Sequence, residues 1–264
     1  MTKSKLYLPD WIVRELVLEK SLSRGDRSAK VKIAQEWLVL NGFYLEIDGV
    51  FGAATENAVV KFQQQKGIKQ TGVIDSATYE YLTYQMRRVL LYKSPVENIG
   101  FRTALINVIR LHFAVKPVEL NGNNSGAWVR LYMRGNDGAE WFWCAGFVSY
   151  LLHQAAHYSQ KTPPLPYTFS CDEIAFRAQQ AGRFLNGRSI SDPKTFLQPG
   201  DIFLKRRSAF DWSHTGFIAA IKGDYFETVE GNTSTTGSRN GGGVHSLTRA
   251  FNPDVYDFVT LPKD

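Results

Sequence analysis

The feature that most constrains the fold is a change of hydrophobic period near Pro199. Before it, apolar residues recur every three or four positions, as in 31–38 and 102–113, which is the period of amphipathic helices. After it, short apolar runs separated by glycines are typical of strands; they lie at 202–204, 216–221, 225–230 and 255–259. Because helices come first and strands follow without β–α–β alternation, we predict an α+β fold with an antiparallel sheet.

The N-terminal part contains a short internal repeat. Residues 48–55 are echoed by residues 71–78: in both, a glycine turn leads to an apolar pair, a helix start and a threonine six residues after the glycine. A helix ended by Gly67 lies between them. We therefore predict a helical arm at 1–21, a small three-helix bundle at 22–82, a linker at 83–97 and a second domain at 98–264.

The segment 22–82 resembles the small peptidoglycan-binding domain that is appended to many cell-wall hydrolases. The residues that carry this resemblance are Gly25, Val31, Gln35, Leu38, Gly42, Asp48, Gly49, Phe51, Gly52, Thr55, Ala58, Val59, Phe62, Gln63, Gly67 and Gly72. The resemblance implies that the segment binds peptidoglycan. The alternative is a three-helix spacer that has lost its ligand surface.

The charge balance indicates an anionic polymer as partner. The formal net charge is +6 and the pI is near 9.2, which suits nucleic acid, an anionic membrane face or an anionic cell wall. No run of five or more Lys or Arg occurs, so we expect no nucleic-acid partner. Cell-wall peptidoglycan is the expected partner, and we expect a monomer.

The apolar runs bear on where the protein acts. The first ten residues have no apolar core of a secretory signal, and no apolar stretch approaches the roughly 20 residues of a membrane-spanning helix. We expect synthesis in the cytoplasm without membrane insertion. Delivery to the wall would then follow phage lysis, with a holin opening the membrane, or injection into a rival cell. The expected partners are a phage-tail or secretion-system component and, for an injected toxin, an immunity protein.

Cys144 is the candidate nucleophile. It lies where the aromatic-rich segment 140–143 meets a run, 145–152, that predicts a buried helix. The first backbone N–H groups of a helix favour a thiolate, which is the reactive form of cysteine. The other cysteine, Cys171, begins a predicted helix without an accompanying motif, and we interpret it as structural.

Three further polar residues could complete a catalytic site around Cys144. His214 directly precedes an apolar strand and is the best candidate for a base. Glu230 and Asn232 are two residues apart at the end of the next strand, so their side chains share a face. Either side chain could hold the imidazole ring of His214 in the required tautomer.

This pattern resembles the CHAP family (cysteine, histidine-dependent amidohydrolases and peptidases), a papain-like family akin to NlpC/P60. The resemblance covers about 98–262. It rests on Trp143-Cys144-Ala145-Gly146-Phe147-Val148, Pro199-Gly200-Asp201-Ile202, Ser213-His214-Thr215-Gly216 and Val229-Glu230-Gly231-Asn232-Thr233. The family often has alanine at the position of Gly146 and valine at that of Thr215.

The resemblance implies roles for the four polar residues. Cys144 is the nucleophile, and His214 is the general base and then the general acid. Glu230 orients the histidine, and Asn232 either orients it or supports the oxyanion. The implied fold of this domain is papain-like α+β.

Three tryptophans flank the reactive residues, and we predict that Trp141, Trp143 and Trp212 bind substrate; the alternative is that they seal the core. No metal and no cofactor is expected. His153 and His157 have a metal-binding spacing but lack the glutamate of zinc proteases. The loop before the cysteine offers one carboxylate, which is too few for calcium.

The sequence therefore predicts a peptidoglycan hydrolase that cleaves an amide bond by a Cys-His-Glu/Asn mechanism. The bond would be the N-acetylmuramoyl–L-alanine amide or a peptide bond of the stem or cross-link. Two alternatives stay open at this point. One is a catalytically dead wall-binding protein, and the other is a cysteine amidase acting on a small soluble amide.

Overall fold

The structure, a computed structural model, describes residues 9–91, 99–120, 122–238 and 241–264. The chain divides into two compact units, Met1–Tyr92 and Lys93–Asp264. Within the described ranges, no helix is both long and apolar enough to cross a membrane.

The first unit is helical. Its helices are α1 (Asp10–Leu16), α2 (Ala29–Leu40), α3 (Ala53–Gln65), α4 (Ser76–Leu82) and α5 (Tyr84–Leu90). The helices α2, α3 and α4 form the predicted three-helix bundle, around buried side chains that include Val31, Leu38 and Phe62. Helix α2 begins after Ser28, whose hydroxyl caps the Val31 N–H at 3.2 Å.

Two buried glutamines explain the internal repeat in this unit. The side chain of Gln35 donates to Thr55 Oγ1 at 3.1 Å and accepts from the Gly49 N–H at 2.8 Å. The second turn repeats this arrangement with Gln63, which donates to Thr78 Oγ1 at 3.2 Å and accepts from the Gly72 N–H at 3.0 Å. Each glycine turn is therefore fastened to the helix before it.

The second unit combines helices with one sheet. Its helices are α6 (Phe101–Val115), α7 (Ala127–Tyr132), α8 (Cys144–Ser159), α9 (Cys171–Gln180) and α10 (Pro193–Phe196), with a short 3₁₀ helix at Gly187–Ser189. Its strands are β1 (Phe184–Leu185), β2 (Ile202–Ser208), β3 (Asp211–Lys222), β4 (Tyr225–Thr233), β5 (Gly243–Ala250) and β6 (Tyr256–Val259).

The described strands form one sheet in the order β1-β6-β2-β3-β4-β5, with antiparallel neighbours throughout. The predicted α+β class with an antiparallel sheet is confirmed. The strands β1 and β5 were not predicted. In β5 buried positions are confined to its start, and from His245 onward half-buried and exposed residues alternate, so it lacks the apolar run that marks the other strands.

The motif at 199–202 has a structural role. Gly200 has a left-handed backbone (φ +96°), which glycine adopts readily, and this turn leads into β2. Asp201 is buried and ion-paired with Arg102 on α6 at 2.8 Å, and it accepts from the Leu261 N–H at 2.9 Å. The motif thus joins the helical and sheet layers of this unit.

Close packing explains the glycine at position 146. Helix α8 lies against β3, with the rings of Phe147 and Phe217 6.2 Å apart. A Cβ on Gly146 would lie 2.7 Å from the Tyr132 carbonyl oxygen and 2.3 Å from Met133 Sδ. Alanine, common in the resembling family, therefore does not fit this chain without a shift of α7 against α8.

Candidate active site

Cys144 is the first residue of α8, and the residue is buried, with 5% of its surface exposed. The preceding residue, Trp143, makes no side-chain capping hydrogen bond. The sulfur of Cys171, the first residue of α9, lies 3.8 Å from the Cys144 sulfur, and both cysteines are free thiols. The helix position predicted for Cys144 is thus present, together with a thiol neighbour that was not predicted.

His214 lies on β3 and is 1% exposed. Its Nε2 is 2.8 Å from Glu230 Oε2. Its Nδ1 is buried and has no hydrogen-bond partner within the described part of the chain. With Nε2 engaged by the carboxylate, Nδ1 is the ring nitrogen left for the Cys144 thiol.

The Glu230 side chain reaches His214 diagonally between the two strands, past a glycine of β3. Phe217 pairs with Val229 across β3 and β4, which brings Glu230 level with Gly216, two residues from His214. A Cβ on Gly216 would lie 2.8 Å from Glu230 Cγ. The absence of a side chain at this position therefore opens the diagonal path between the carboxylate and the imidazole.

Arg249 on β5 is a site residue that the sequence analysis missed. Its Nε and Nη2 donate to the two oxygens of Glu230, each at 2.6 Å, in a bidentate ion pair. Thr228 Oγ1 donates to Glu230 Oε1 at 2.5 Å. The guanidinium also lies over the ring of Phe203, 5.1 Å from its centroid. An arginine in a strand that lacks an apolar run gave no signal of this role.

The charges of the site set its pKa values. Burial works against a charged His214 ring, but the interactions with Cys144 and Glu230 outweigh it and raise the pKa of His214 to about 9. Burial likewise disfavours the Glu230 carboxylate, but His214 and Arg249 lower its pKa to about 2. The hydrogen bond with Cys171 has the largest effect on the Cys144 thiol, and the interactions with His214 act in the same direction. Together they outweigh burial and hold the pKa of Cys144 well below its usual value. The two shifts therefore both favour a thiolate at Cys144 and an imidazolium at His214.

Asn232 does not bond to His214, although we expected it to share a face with Glu230. Its backbone is left-handed (φ +53°) and the β4–β5 register shifts there, which interrupts the alternation of the strand. The amide orientation that satisfies its neighbours has its oxygen accept from the Trp143 N–H at 3.0 Å. Its nitrogen then donates to Glu119 Oε1 at 3.2 Å. Asn232 thus holds the residue before Cys144.

Glu119 is a second residue that the sequence analysis missed, because it precedes a turn-rich segment. Its Oε1 accepts from the Trp143 indole N–H at 2.7 Å, and its Oε2 accepts from the Asn124 N–H at 3.1 Å. Together with Asn232 it fixes both the backbone and the side chain of Trp143. The residue that precedes Cys144 is therefore anchored through both its backbone and its side chain.

The tryptophans are mainly core residues. Trp143 is fully buried and stacks on Tyr132 with ring centroids 5.4 Å apart, which favours the alternative that it seals the core. Trp212 is buried, and its indole N–H donates to Asp257 at 2.8 Å. Trp141 is half-buried against Phe169 and leaves part of its ring at the surface.

A groove of about 600 Å³ opens at the start of α9. Residues on either side of Cys171 line it, and so do Phe176, Phe210 and an edge of Trp212. The Phe210 side chain is 85% exposed. This groove offers an apolar surface with carboxylates from Asp172 and Glu173, the two residues that follow Cys171.

The groups considered for metal binding have other surroundings. The ring of His153 packs against Tyr167 with centroids 5.1 Å apart, whereas His157 is exposed. Asp137, the carboxylate of the loop before Cys144, is ion-paired with Arg130 at 2.9 Å.

The chain was compared with known families and proteins. Residues 27–82 match the family described as "Putative peptidoglycan binding domain". No curated protein matches the chain. Three solved structures are similar to parts of it, each with a TM-score well below 0.5, so none of them defines the fold of the whole chain.

A peptidoglycan-binding protein from Clostridioides difficile, in complex with glutamine hydroxamate, is 41% identical over 24% of this chain and 40% of that chain, with a TM-score of 0.24. The SleB N-terminal domain is 32% identical over 25% of this chain and 93% of that chain, with a TM-score of 0.25. The Burkholderia AP3 phage endolysin is 26% identical over 35% of this chain and 36% of that chain, with a TM-score of 0.24. The chain thus spans well under half of the first and third proteins. Over residues 27–82, it is similar to the peptidoglycan-binding domain family.

Proposed function

We propose that this chain is a peptidoglycan hydrolase: a cysteine-dependent amidase or endopeptidase of the CHAP type with a peptidoglycan-binding domain. The observation that carries the proposal is the buried arrangement of Cys144, His214 and Glu230, with Arg249 behind it. A thiol at a helix N-terminus, a raised imidazole pKa and an orienting carboxylate are what nucleophilic amide cleavage requires. The family match of residues 27–82 supports the cell wall as the target.

The proposed reaction has two halves. The Cys144 thiolate attacks the amide carbonyl carbon, and the tetrahedral oxyanion is stabilised by backbone N–H groups at the start of α8. The C–N bond then breaks, and the imidazolium of His214 gives its proton to the leaving amine. Next, His214 takes a proton from water, the hydroxide attacks the thioester, and the acid product leaves as the thiolate is restored.

The polar groups behind His214 keep its ring in one orientation through this cycle. Glu230 binds Nε2, so the proton exchanged with substrate is the one on Nδ1. Arg249 keeps Glu230 ionised in its buried position. Because each charge faces an opposite one, the site is preorganised and needs little rearrangement during the reaction.

The proposed substrate is the peptide part of peptidoglycan, cut at the muramoyl–L-alanine amide or within the stem or cross-link. The net charge of +6 suits an anionic wall. We further propose delivery as a phage endolysin or as an injected antibacterial toxin. In the second case, an immunity protein would block the site of Cys144 in the producing cell.

The test is digestion of purified sacculi by the wild type, Cys144→Ala and a control, His157→Ala, which alters an exposed histidine of the same helix. Loss of a triad nucleophile lowers kcat by roughly 10⁶-fold, so Cys144→Ala should show no lysis but unchanged binding to sacculi. Mass spectrometry of the released fragments identifies the bond. Lysis by Cys144→Ala at the wild-type rate would refute the mechanism, and binding without lysis by the wild type would indicate a catalytically dead wall-binding protein.

A further inference from the structure

The second cysteine has a position that a purely structural thiol does not need. Cys144 begins the 16-residue helix α8, and Cys171 begins the 10-residue helix α9. The two helix starts converge so that the sulfurs are 3.8 Å apart, within hydrogen-bond distance for two sulfur atoms. Both side chains are buried, so water does not compete for this contact.

We propose that Cys171 is a positioning residue of this site: its S–H donates a hydrogen bond to the Cys144 sulfur and holds it as the thiolate. The inference deepens the proposed function, because it assigns a further role at the same nucleophile. The proposal corrects the sequence-based interpretation of Cys171 as a structural residue only.

The charges around the two sulfurs decide which one keeps the proton. The first turn of α8 contains no acidic residue, whereas the first turn of α9 contains Asp172 and Glu173. Negative charge next to Cys171 disfavours a thiolate there, while the imidazolium of His214 favours one at Cys144. Cys144 is therefore the acceptor, and Cys171 is the donor.

The chain fixes Cys171 for this role. Ser170 is the N-cap of α9, and its Oγ accepts from the Glu173 N–H at 3.3 Å, which sets where the helix begins. Asp172 accepts from the Trp212 N–H at 2.7 Å, which joins the start of α9 to the strand that carries His214. The donor and the base are thus held to the same part of the sheet.

The directions of the pKa shifts agree with this assignment. The hydrogen bond from Cys171 is the largest cause that lowers the pKa of Cys144, and the same bond is the largest cause that raises the pKa of Cys171. The charged groups that act on the pair are His214 from β3, Asp172 from α9 and Arg207 from β2, the last of which opposes the rise at Cys171. Removal of the donor should therefore raise the pKa of Cys144.

The test measures the reactivity of Cys144 directly in the reduced full-length protein. The rate of alkylation by iodoacetamide is followed from pH 4 to pH 10 and assigned to each cysteine by peptide mass spectrometry. The variants are Cys171→Ala, which lacks a donor, and Cys171→Ser, which keeps one. Cys144→Ala confirms which labelled peptide belongs to which thiol.

Cys171→Ala is expected to move the midpoint of Cys144 labelling upward by about one to two pH units, the value of one hydrogen bond to a charged group. Cys171→Ser should recover at least half of that shift. An unchanged midpoint in Cys171→Ala would overturn the proposal, and so would a Cys171→Ser midpoint equal to that of Cys171→Ala, because packing alone would then explain the residue.

The wild type provides a measurement that does not depend on the folding of a variant. Cys144 should be labelled at neutral pH, and Cys171 only at more alkaline pH than a free thiol. Faster labelling of Cys171 than of Cys144 would overturn the assignment of donor and acceptor. Alkylation does not require peptidoglycan cleavage, so an inactive protein with the expected labelling would refute the proposed function and leave this inference intact.

Discussion

At the scale of single residues, the site is a largely buried row of four groups whose favoured charges alternate. The Cys144 thiol interacts with the His214 ring, which pairs with the carboxylate of Glu230, which in turn pairs with the guanidinium of Arg249. A buried charge is costly unless it is paired and hydrogen-bonded. His214 and Glu230, in the middle of the row, therefore each depend on both neighbours. Arg249, at the end of the row, stabilises Glu230 without taking part in the proposed reaction.

Arg249→Leu should accordingly destabilise the fold, because it leaves Glu230 buried without its bidentate partner. Breaking a buried pair costs about 3–5 kcal/mol of the free energy of unfolding. The pKa of Glu230 lies below its ordinary value of 4.5, at about 2, so its stabilising effect is present above pH 4.5 and is lost as the pH falls towards 2. In the variant the pKa of Glu230 should lie nearer its ordinary value, so the loss of stability between pH 4.5 and pH 2 should be smaller than in the wild type.

Urea unfolding measured between pH 3 and pH 7 checks both expectations for Arg249. The control is Arg188→Leu, which removes an exposed ion pair with Asp254 and should cost about 0–1 kcal/mol. Equal effects of the two substitutions would show that the Glu230–Arg249 pair contributes no more than a surface ion pair.

At the scale of elements, the predictability of each strand followed its burial. The strands β2, β3, β4 and β6 carry apolar runs, and the sequence located all four. Strand β5 lies at the edge of the sheet with a solvated face, so its pattern gave no signal and Arg249 was missed with it. The order of Cys144, His214 and Glu230 along the chain was sufficient to select three residues that interact in the structure. The partners of Asn232 could not be predicted, because a single left-handed residue changes the direction of its side chain.

The diagonal contact between Glu230 and His214, past Gly216, leads to a prediction for Gly216→Ala. The added Cβ would lie 2.8 Å from Glu230 Cγ and 2.9 Å from Phe203 Cε1, so the carboxylate must move from His214. Overpacking of this kind costs about 1–3 kcal/mol of unfolding free energy. We expect a larger loss of sacculus lysis than this destabilisation explains, because the imidazole loses its orienting group.

Gly242→Ala is the matched control, since a Cβ at that exposed position would contact nothing within 4 Å. It should change the free energy of unfolding by no more than about 0.5 kcal/mol. Urea unfolding and lysis rates of both variants provide the comparison. If Gly216→Ala lysed sacculi as fast as Gly242→Ala, the diagonal contact between Glu230 and His214 would not matter for the reaction.

At the scale of the whole molecule, the proposed recognition and the proposed chemistry belong to two different compact units. The first unit contains two similar glycine turns, and each turn is hydrogen-bonded to one buried glutamine. The second depends on one large sheet that holds the charged row. The repeat in the first unit was visible in the sequence because each turn needs its own glycine and threonine, whereas the charged row joins residues far apart in the chain.

This division predicts that damage to the first unit leaves the chemistry of the second unchanged. Gln63→Leu in the full-length chain removes the acceptor of the Thr71 and Gly72 N–H groups and the donor to the Val73 carbonyl. Unsatisfied buried groups cost about 1–3 kcal/mol each, so the turn at 71–73 should open. Retention on purified sacculi should fall, whereas the rate of Cys144 alkylation should equal that of the wild type.

Gln65→Leu, an exposed position on the same helix, should retain sacculus binding. A fall in Cys144 alkylation in Gln63→Leu alone would instead mean that the peptidoglycan-binding unit supports the reactive state of the thiol.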